Sequence, residues 1–133
     1  MIRFQTITSF RGRLKALVEY KKGVYSGASD EIKSAFTNVS ISQIRNNRDM
    51  ILMQNDALLI KLRLPDHKNR LSRADGYRLI YLVSRISEKV VFLDIYPKIG
   101  PMQQLDISNN DLKRLLAEYI AEATAGVLEE YPI

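Results

Sequence analysis

Lysines, arginines and a tyrosine are the side chains of this sequence whose types and spacing suit chemistry at a phosphate. Lys61 and Arg63 alternate within one apolar run, Arg78 interrupts a second, and Tyr96 and Lys98 end a third. Basic side chains bind anionic oxygens, and arginine can donate two parallel hydrogen bonds to one phosphate. A phenol can stack on a nucleobase or move a proton. We therefore expect these five residues to form a site if the chain brings them together.

Three predicted strands, residues 57–64, 76–84 and 89–98, must position these side chains. Successive residues of a strand point to opposite faces, so alternation separates an apolar face from a polar one. The apolar face contains Leu58, Ile60, Leu62, Leu64, Leu79, Tyr81, Val83, Val91, Leu93 and Ile95. The opposite face contains Lys61, Arg63, Arg78, Asp94, Tyr96 and Lys98. The pattern predicts an antiparallel sheet with helices on the first face and an open cationic second face.

Charge is concentrated in this part of the chain. Residues 61–85 hold seven basic residues and two acidic ones, a balance that equals the whole net charge of +5. The stretch 65–75 is a polar, basic loop containing Lys68, Arg70 and Arg73, and it is long for a hairpin connection. This distribution favours a phosphate-rich partner.

Composition excludes several classes of protein. With 133 residues, 46% of them hydrophobic, the chain is expected to form a single globular domain over 1–133. It has no cysteine, which removes disulfides, thiolate nucleophiles and zinc–thiolate sites. There is no glycine-rich phosphate loop, nucleophile elbow or cluster of metal ligands. The start of the chain lacks the apolar core of a signal peptide, and no run is long enough to span a membrane, so we expect a cytoplasmic protein without a membrane partner.

Helical spacing and capping residues predict the remaining elements. A short strand over 2–8 precedes a helix capped by Thr8 or Ser9 and stopped by Gly23. A second helix begins near Ser29, frays or bends at 40–42 and resumes to Arg45. Residues 46–49 form a loop, and 50–53 are either a strand or a lead-in to the next one. A closing helix starts at Ser108. The predicted fold is α+β, with an antiparallel sheet of about four strands packed against two N-terminal helices, and a C-terminal helix.

The order and motifs of these elements resemble the RelE/ParE superfamily, the small toxins of bacterial type II toxin–antitoxin systems. The likeness rests on Ile60-Lys61-Leu62-Arg63, on Gly76-Tyr77-Arg78-Leu79-Ile80-Tyr81 and on Asp94-Ile95-Tyr96-Pro97-Lys98, the last similar to the HigB-like branch. It covers residues 57–100 by motif and the two N-terminal helices by order only. The resemblance implies a RelE-like fold and metal-independent cleavage of mRNA, usually on the ribosome, by an endoribonuclease that a cognate antitoxin neutralises.

The resemblance also implies roles for individual residues. Lys61 matches a basic residue that contacts or activates the scissile phosphodiester, Arg78 an arginine that stabilises the phosphate in the transition state, and Lys98 a substrate-contacting lysine. Arg63, Lys68, Arg70 and Arg73 would then contact RNA. No metal, cofactor or small-molecule ligand is implied.

Two questions stay open at the level of sequence. The family's downstream arginine has no counterpart in 99–103 and its C-terminal catalytic tyrosine is missing, so the general base would be Tyr96 or Lys61; neighbouring arginines would favour the neutral, basic form of Lys61. The target is also open, because the ParE branch inhibits DNA gyrase and a toxin fold can serve only in binding or regulation.

Overall fold

The computed structural model describes residues 1–45, 50–54 and 56–133. Within these residues the strands are β1 (Arg3–Thr6), β2 (Met50–Gln54), β3 (Ala57–Leu64), β4 (Tyr77–Ser84), β5 (Lys89–Pro97) and β6 (Glu129–Glu130). The helices are α1 (Thr8–Val18), α2 (Ala28–Phe36), α3 (Ile41–Arg45) and α4 (Asn109–Ala125). The class is α+β, as predicted. The loop predicted at 46–49 lies outside the described residues, and 50–54 form a strand.

The strands form one sheet in the order β2-β3-β4-β5-β1-β6. β2 to β5 are antiparallel neighbours, but β1 runs parallel to β5, with Arg3 opposite Lys89 and Thr6 opposite Phe92. The expected antiparallel set of about four strands is thus present as β2 to β5, but the sheet of the described residues has six strands and is mixed, because β1 runs parallel to β5. The helices between β1 and β2 supply a connection long enough for β1 to enter the sheet beside a parallel partner.

One face of the sheet packs against α2 and α3, as the alternation predicted. Along β3 and β4 this face carries Leu62 opposite Leu79 and Ile60 opposite Tyr81. The ring of Phe36 in α2 meets Tyr81 edge-on, with the centroids 5.4 Å apart. The Tyr81 hydroxyl donates to the Ile44 carbonyl of α3 at 3.2 Å. We call this the first face.

A β-bulge in β5 changes which residues reach the first face. The register gives Ile80 opposite Asp94 but Tyr81 opposite Phe92, so Leu93 is an extra residue. Beyond this point the alternation is reversed: Phe92 lies in the core on the first face, and Val91 lies on the other. The predicted placement of Val91 is wrong because one inserted residue exchanges the faces.

The other face, which we call the second face, is not open as predicted. It contributes apolar residues, among them Leu59 and Ile80, and both are buried. α4 lies over this face, with Leu112 and Leu116 beside Leu59. The predicted start of this helix is confirmed, because Ser108 Oγ accepts a hydrogen bond from the Asp111 amide at 3.1 Å.

The N-terminus of α1 differs from the prediction. Thr8 and Ser9 do not cap it; they are its first two residues, and Ile7 holds the capping position without a side-chain hydrogen bond. The amides of Thr8 and Ser9 instead donate to carboxylates of α4, Glu122 at 3.0 Å and Glu118 at 2.8 Å. No helix within the described ranges has the length and apolar content needed to cross a bilayer.

Candidate functional site

The predicted site residues of the three central strands share the second face. Lys61 and Arg63 alternate along β3, Arg63 pairs in register with Arg78 of β4, and Arg78 pairs with Tyr96 of β5. Lys98 follows the end of β5, where its amide donates to the Gly76 carbonyl at 2.9 Å. The sheet therefore brings these five residues to one face.

Lys61 and Tyr96 meet at an aspartate that the sequence did not single out. Lys61 Nζ lies 3.1 Å from Asp106 Oδ1, and the Tyr96 hydroxyl lies 3.4 Å from the same oxygen. The amide of Ile107 donates to this oxygen as well, at 2.8 Å. Asp106 Oδ2 makes no hydrogen bond to any residue that the structure describes, and 65% of the side chain is exposed. One oxygen of this carboxylate is thus fixed, and the other faces solvent.

The surroundings hold the Asp106 carboxyl in its ionised form. Partial burial acts to raise its pKa, but the Ile107 amide and the Lys61 ammonium outweigh burial and lower the pKa below the usual range of an aspartate. The opposite holds for Tyr96, whose pKa is raised, first by burial and then by the charge of Asp106. At neutral pH the cluster is therefore an ammonium and a neutral phenol, both donating to one carboxylate.

Residues 99–108, which we call the connecting segment, carry Asp106 to this position. Gln104 donates through its amide to the Pro97 carbonyl at 2.9 Å, and Lys98 Nζ donates to the Leu105 carbonyl. The Tyr25 hydroxyl fixes the start of the segment by donating to the Ile99 carbonyl at 2.9 Å. The segment passes close to Tyr25 at Gly100, whose φ of +96° suits glycine.

Arg78 is placed differently from its predicted role. Only 7% of the residue is exposed, and its guanidinium donates to the carbonyls of Arg73 at 2.9 Å, Ala74 at 2.9 Å and Tyr77 at 3.2 Å. Arg78 therefore holds the backbone of the loop that leads into β4 in place through hydrogen bonds to its carbonyls. Because the residue is almost fully buried, little of the guanidinium is accessible from solvent in this arrangement.

The basic loop at 65–75 is tied to the body of the protein. The backbones of Asp66 and Leu71 exchange two hydrogen bonds, of 3.0 and 2.9 Å, around a single 3₁₀ turn at His67–Asn69. Lys68 Nζ donates to the Gly23 carbonyl at 2.7 Å and to the Ser26 hydroxyl. The Lys68 ammonium, predicted to bind RNA, is thus used to attach this loop to the connection between α1 and α2.

The remaining predicted RNA contacts lie at the surface. Arg70 and Arg73 are exposed, and so is Arg63. Arg63 and Arg73 line a cavity of about 320 Å³ together with His67, whose ring nitrogen Nδ1 lies 3.0 Å from Glu31. The single histidine is therefore paired with a carboxylate on the α2 side of the sheet and takes no part in the cluster around Asp106.

Asp94, also on the second face, is buried and lies 3.7 Å from Arg13 of α1. Burial raises its pKa, and the nearby Arg13 charge only partly opposes this. In the described ranges no three His, Cys, Asp or Glu side chains are grouped so as to hold a metal ion.

Asp106 is the residue that sequence reasoning missed. It stands in Leu105-Asp106-Ile107-Ser108, two residues before the cap of α4, and an acidic residue near a helix N-terminus is commonly explained by the helix dipole. Asp106 lies close to Tyr96 in the sequence, which was the one available signal. Only the path of the connecting segment in the structure brings Asp106 to Lys61.

Comparison with known proteins adds no identification: no protein-family model matches the chain, and no curated protein matches it. The fold and the site together define an α+β protein whose mixed sheet carries a lysine–aspartate–tyrosine cluster beside the end of β5. We call Lys61, Tyr96 and Asp106 the Asp106 cluster.

Proposed function

We propose that this protein is a cytoplasmic toxin of the RelE/HigB-like kind, which cleaves mRNA without a metal ion and is neutralised by a cognate antitoxin. One observation carries the proposal. The Asp106 cluster combines a cation, a carboxylate and a phenol within hydrogen-bonding distance, and two of the three, Lys61 and Tyr96, are residues that the sequence had singled out. Lys98 is a second cation near this cluster, because its ammonium donates to the carbonyl of Leu105, the residue before Asp106.

Metal-free cleavage of RNA needs groups of these kinds. A base takes the proton of the ribose 2′-hydroxyl, and cations stabilise the charge that builds up on the phosphorus oxygens. Lys61 and Lys98 are partly exposed and suit the second task. In this proposal Arg78 is a positioning residue, because its hydrogen bonds order the loop before β4.

The expected partners follow from charge. Residues 61–85 carry five more basic than acidic residues, and Arg63, Arg70 and Arg73 among them are exposed. RNA or ribosomal RNA would bind along this surface through its phosphates. An antitoxin that covers the same surface would present acidic side chains to it.

The proposal is tested by replacing Lys61. We expect Lys61→Met to reduce mRNA cleavage about 100-fold, because the variant removes one cation from the charge developing in the transition state. Cleavage would be measured with purified protein on mRNA, with and without ribosomes and in the presence of EDTA, with primer extension locating the cuts. Lys33→Met is the matched control, since Lys33 is an exposed lysine of α2 on the opposite side of the sheet.

The alternatives give different results in the same experiment. A gyrase inhibitor of the ParE kind would leave mRNA intact and produce DNA breaks with gyrase. A toxin fold that serves only in binding or regulation would do neither. Intact mRNA with the wild-type protein, or equal cleavage by wild type and Lys61→Met, contradicts our proposal.

A further inference from the structure

The two side chains considered at the sequence level as general bases are both hydrogen-bond donors. Tyr96 is fully buried, and its hydroxyl points to Asp106 Oδ1. Lys61 Nζ donates to the same carboxylate oxygen, at 3.1 Å. The one acceptor in the Asp106 cluster is the carboxylate itself.

We propose that Asp106 is the general base of the RNA cleavage reaction, and this inference rests on the function proposed above. Its Oδ1 is fixed by the Ile107 amide, Lys61 and Tyr96, while its Oδ2 faces solvent. A carboxylate held through one oxygen presents the other in a defined direction. Substrate can reach it, because about two-thirds of the side chain is exposed.

The reaction step is a transesterification within the RNA. Asp106 Oδ2 takes the proton of the ribose 2′-hydroxyl as the 2′-oxygen attacks the adjacent phosphorus, and the bond from phosphorus to the 5′-oxygen breaks. The departing 5′-oxygen takes a proton from water, and Asp106 returns its proton to the solvent. The products are a 2′,3′-cyclic phosphate and a 5′-hydroxyl. Lys61 remains an ammonium throughout and neutralises charge on the phosphate beside it.

This assignment predicts a pH dependence that a lysine or tyrosine base would not give. The hydrogen bonds of the cluster lower the pKa of Asp106, so the base is fully ionised at neutral pH. Single-turnover cleavage should therefore be level around neutrality and should decline only in the acid range of carboxyl groups. A neutral-amine or phenolate base would instead make the rate rise through neutral pH into the alkaline range.

The test compares Asp106→Asn with Asp111→Asn. The first variant keeps the size of the side chain and removes its basicity; the second removes a half-exposed aspartate in the first turn of α4. We expect Asp106→Asn to lower the cleavage rate at least 100-fold and to bind a 2′-deoxy-substituted RNA as well as the wild type or more tightly. Asp111→Asn should cleave normally. Asp106→Glu should regain part of the activity, which a purely structural role in seating the connecting segment does not predict.

Three results would overturn the assignment. Cleavage by Asp106→Asn at the wild-type rate would exclude a base at this position. Faster cleavage together with tighter RNA binding would show that the carboxylate only obstructs the site. If the wild-type protein binds RNA but cleaves none, with or without ribosomes, the proposed ribonuclease function is contradicted. The assignment of Asp106 as general base is then contradicted too. Thermal unfolding of each variant, compared with the wild type, separates these results from loss of fold.

Discussion

Arg78 illustrates how one buried side chain can order a loop next to a candidate site. Its guanidinium donates to three carbonyls between Arg73 and Tyr77 while only 7% of the residue is exposed. A buried carbonyl that loses its donor keeps the cost of desolvation without the compensating hydrogen bond. The conformation of this loop therefore depends on Arg78.

Replacing Arg78 should lower stability. We expect Arg78→Met to reduce the free energy of unfolding by about 2 to 3 kcal/mol, because three carbonyls, one of them on the buried Tyr77, lose a charged donor. The measurement is chemical denaturation at neutral pH.

Arg73→Met is the control for the Arg78 variant. It removes the same charge from the same loop but leaves the Arg73 carbonyl in place, so it should change stability by less than about 0.5 kcal/mol. Equal effects of the two variants would show that charge, and not the hydrogen bonds of Arg78, is responsible.

At the level of elements, α4 caps the beginning of α1. Glu118 accepts from the Ser9 amide at 2.8 Å and from the Ser9 hydroxyl at 2.5 Å, and Glu122 accepts from the Thr8 amide at 3.0 Å. The first amides of a helix have no partner inside it, and carboxylates there also face the positive end of the helix dipole. This contact fixes α4 to α1 and, through α4, the end of the connecting segment.

Glu118→Gln should weaken this contact in a pH-dependent way. Burial acts to raise the pKa of Glu118, but the Ser9 hydroxyl and amide and Glu122 outweigh it, and the pKa is lowered. Because the pKa of this carboxyl is lower in the folded than in the unfolded protein, its ionised form stabilises the fold. This stabilisation is complete above the unfolded pKa of about 4.3 and is lost as the pH falls through the native pKa. The variant should therefore be less stable by about 1 kcal/mol at neutral pH and should approach the wild type in acid.

Urea denaturation across the acid to neutral range measures this difference. Glu19→Gln serves as control, because Glu19 is exposed at the other end of α1. A constant difference between Glu118→Gln and wild type at every pH would contradict the assigned role of the carboxylate.

Elements governed by local signals were predictable from the sequence. The alternation of β3 predicts its bounds at Ala57 and Leu64, and Ser108 caps α4 as its position indicates. Both signals depend on residues close together in the chain. The extra residue Leu93 in β5 gave no such signal, because a bulge is defined by pairing with β4.

The candidate site was predictable only in part, for the same reason. The common face of Lys61, Arg78 and Tyr96 follows from alternation and register. The burial of Arg78 and the arrival of Asp106 depend on how two loops fold back over that face, which no local pattern encodes. Sequence alone therefore indicated the cations but not their partners.

At the scale of the whole molecule, the C-terminal tail closes the core beside β1. The Tyr131 amide donates to the Phe4 carbonyl at 2.7 Å, and its ring lies edge-on to Phe92, with centroids 5.4 Å apart, and to Phe10 at 6.0 Å. Glu130 adds an ion pair to Arg3 at 2.5 Å. The tail thus joins the first strand to the aromatic centre of the core.

Removing the Tyr131 ring should destabilise the whole fold. We expect Tyr131→Ala to lower the free energy of unfolding by about 2 kcal/mol, since a half-buried aromatic ring leaves the core. Thermal and urea unfolding would measure it. Ile120→Ala, which truncates a side chain of α4 that is 63% exposed, should change stability by less than about 0.5 kcal/mol; a Tyr131→Ala effect no larger than this would show that the tail contributes little.

The parallel pairing of β1 with β5 also limits the order in which parts of this protein can fold during synthesis. β1 is made before its partner residues in β5, Lys89 to Phe92, which follow only after the helices α1 to α3 and the strands β2 to β4. Contacts between such distant parts of a chain are slow to form. The ring of Phe92 therefore cannot cover Phe4 and Phe10 until β5 has been made, and until then this part of the aromatic core is incomplete.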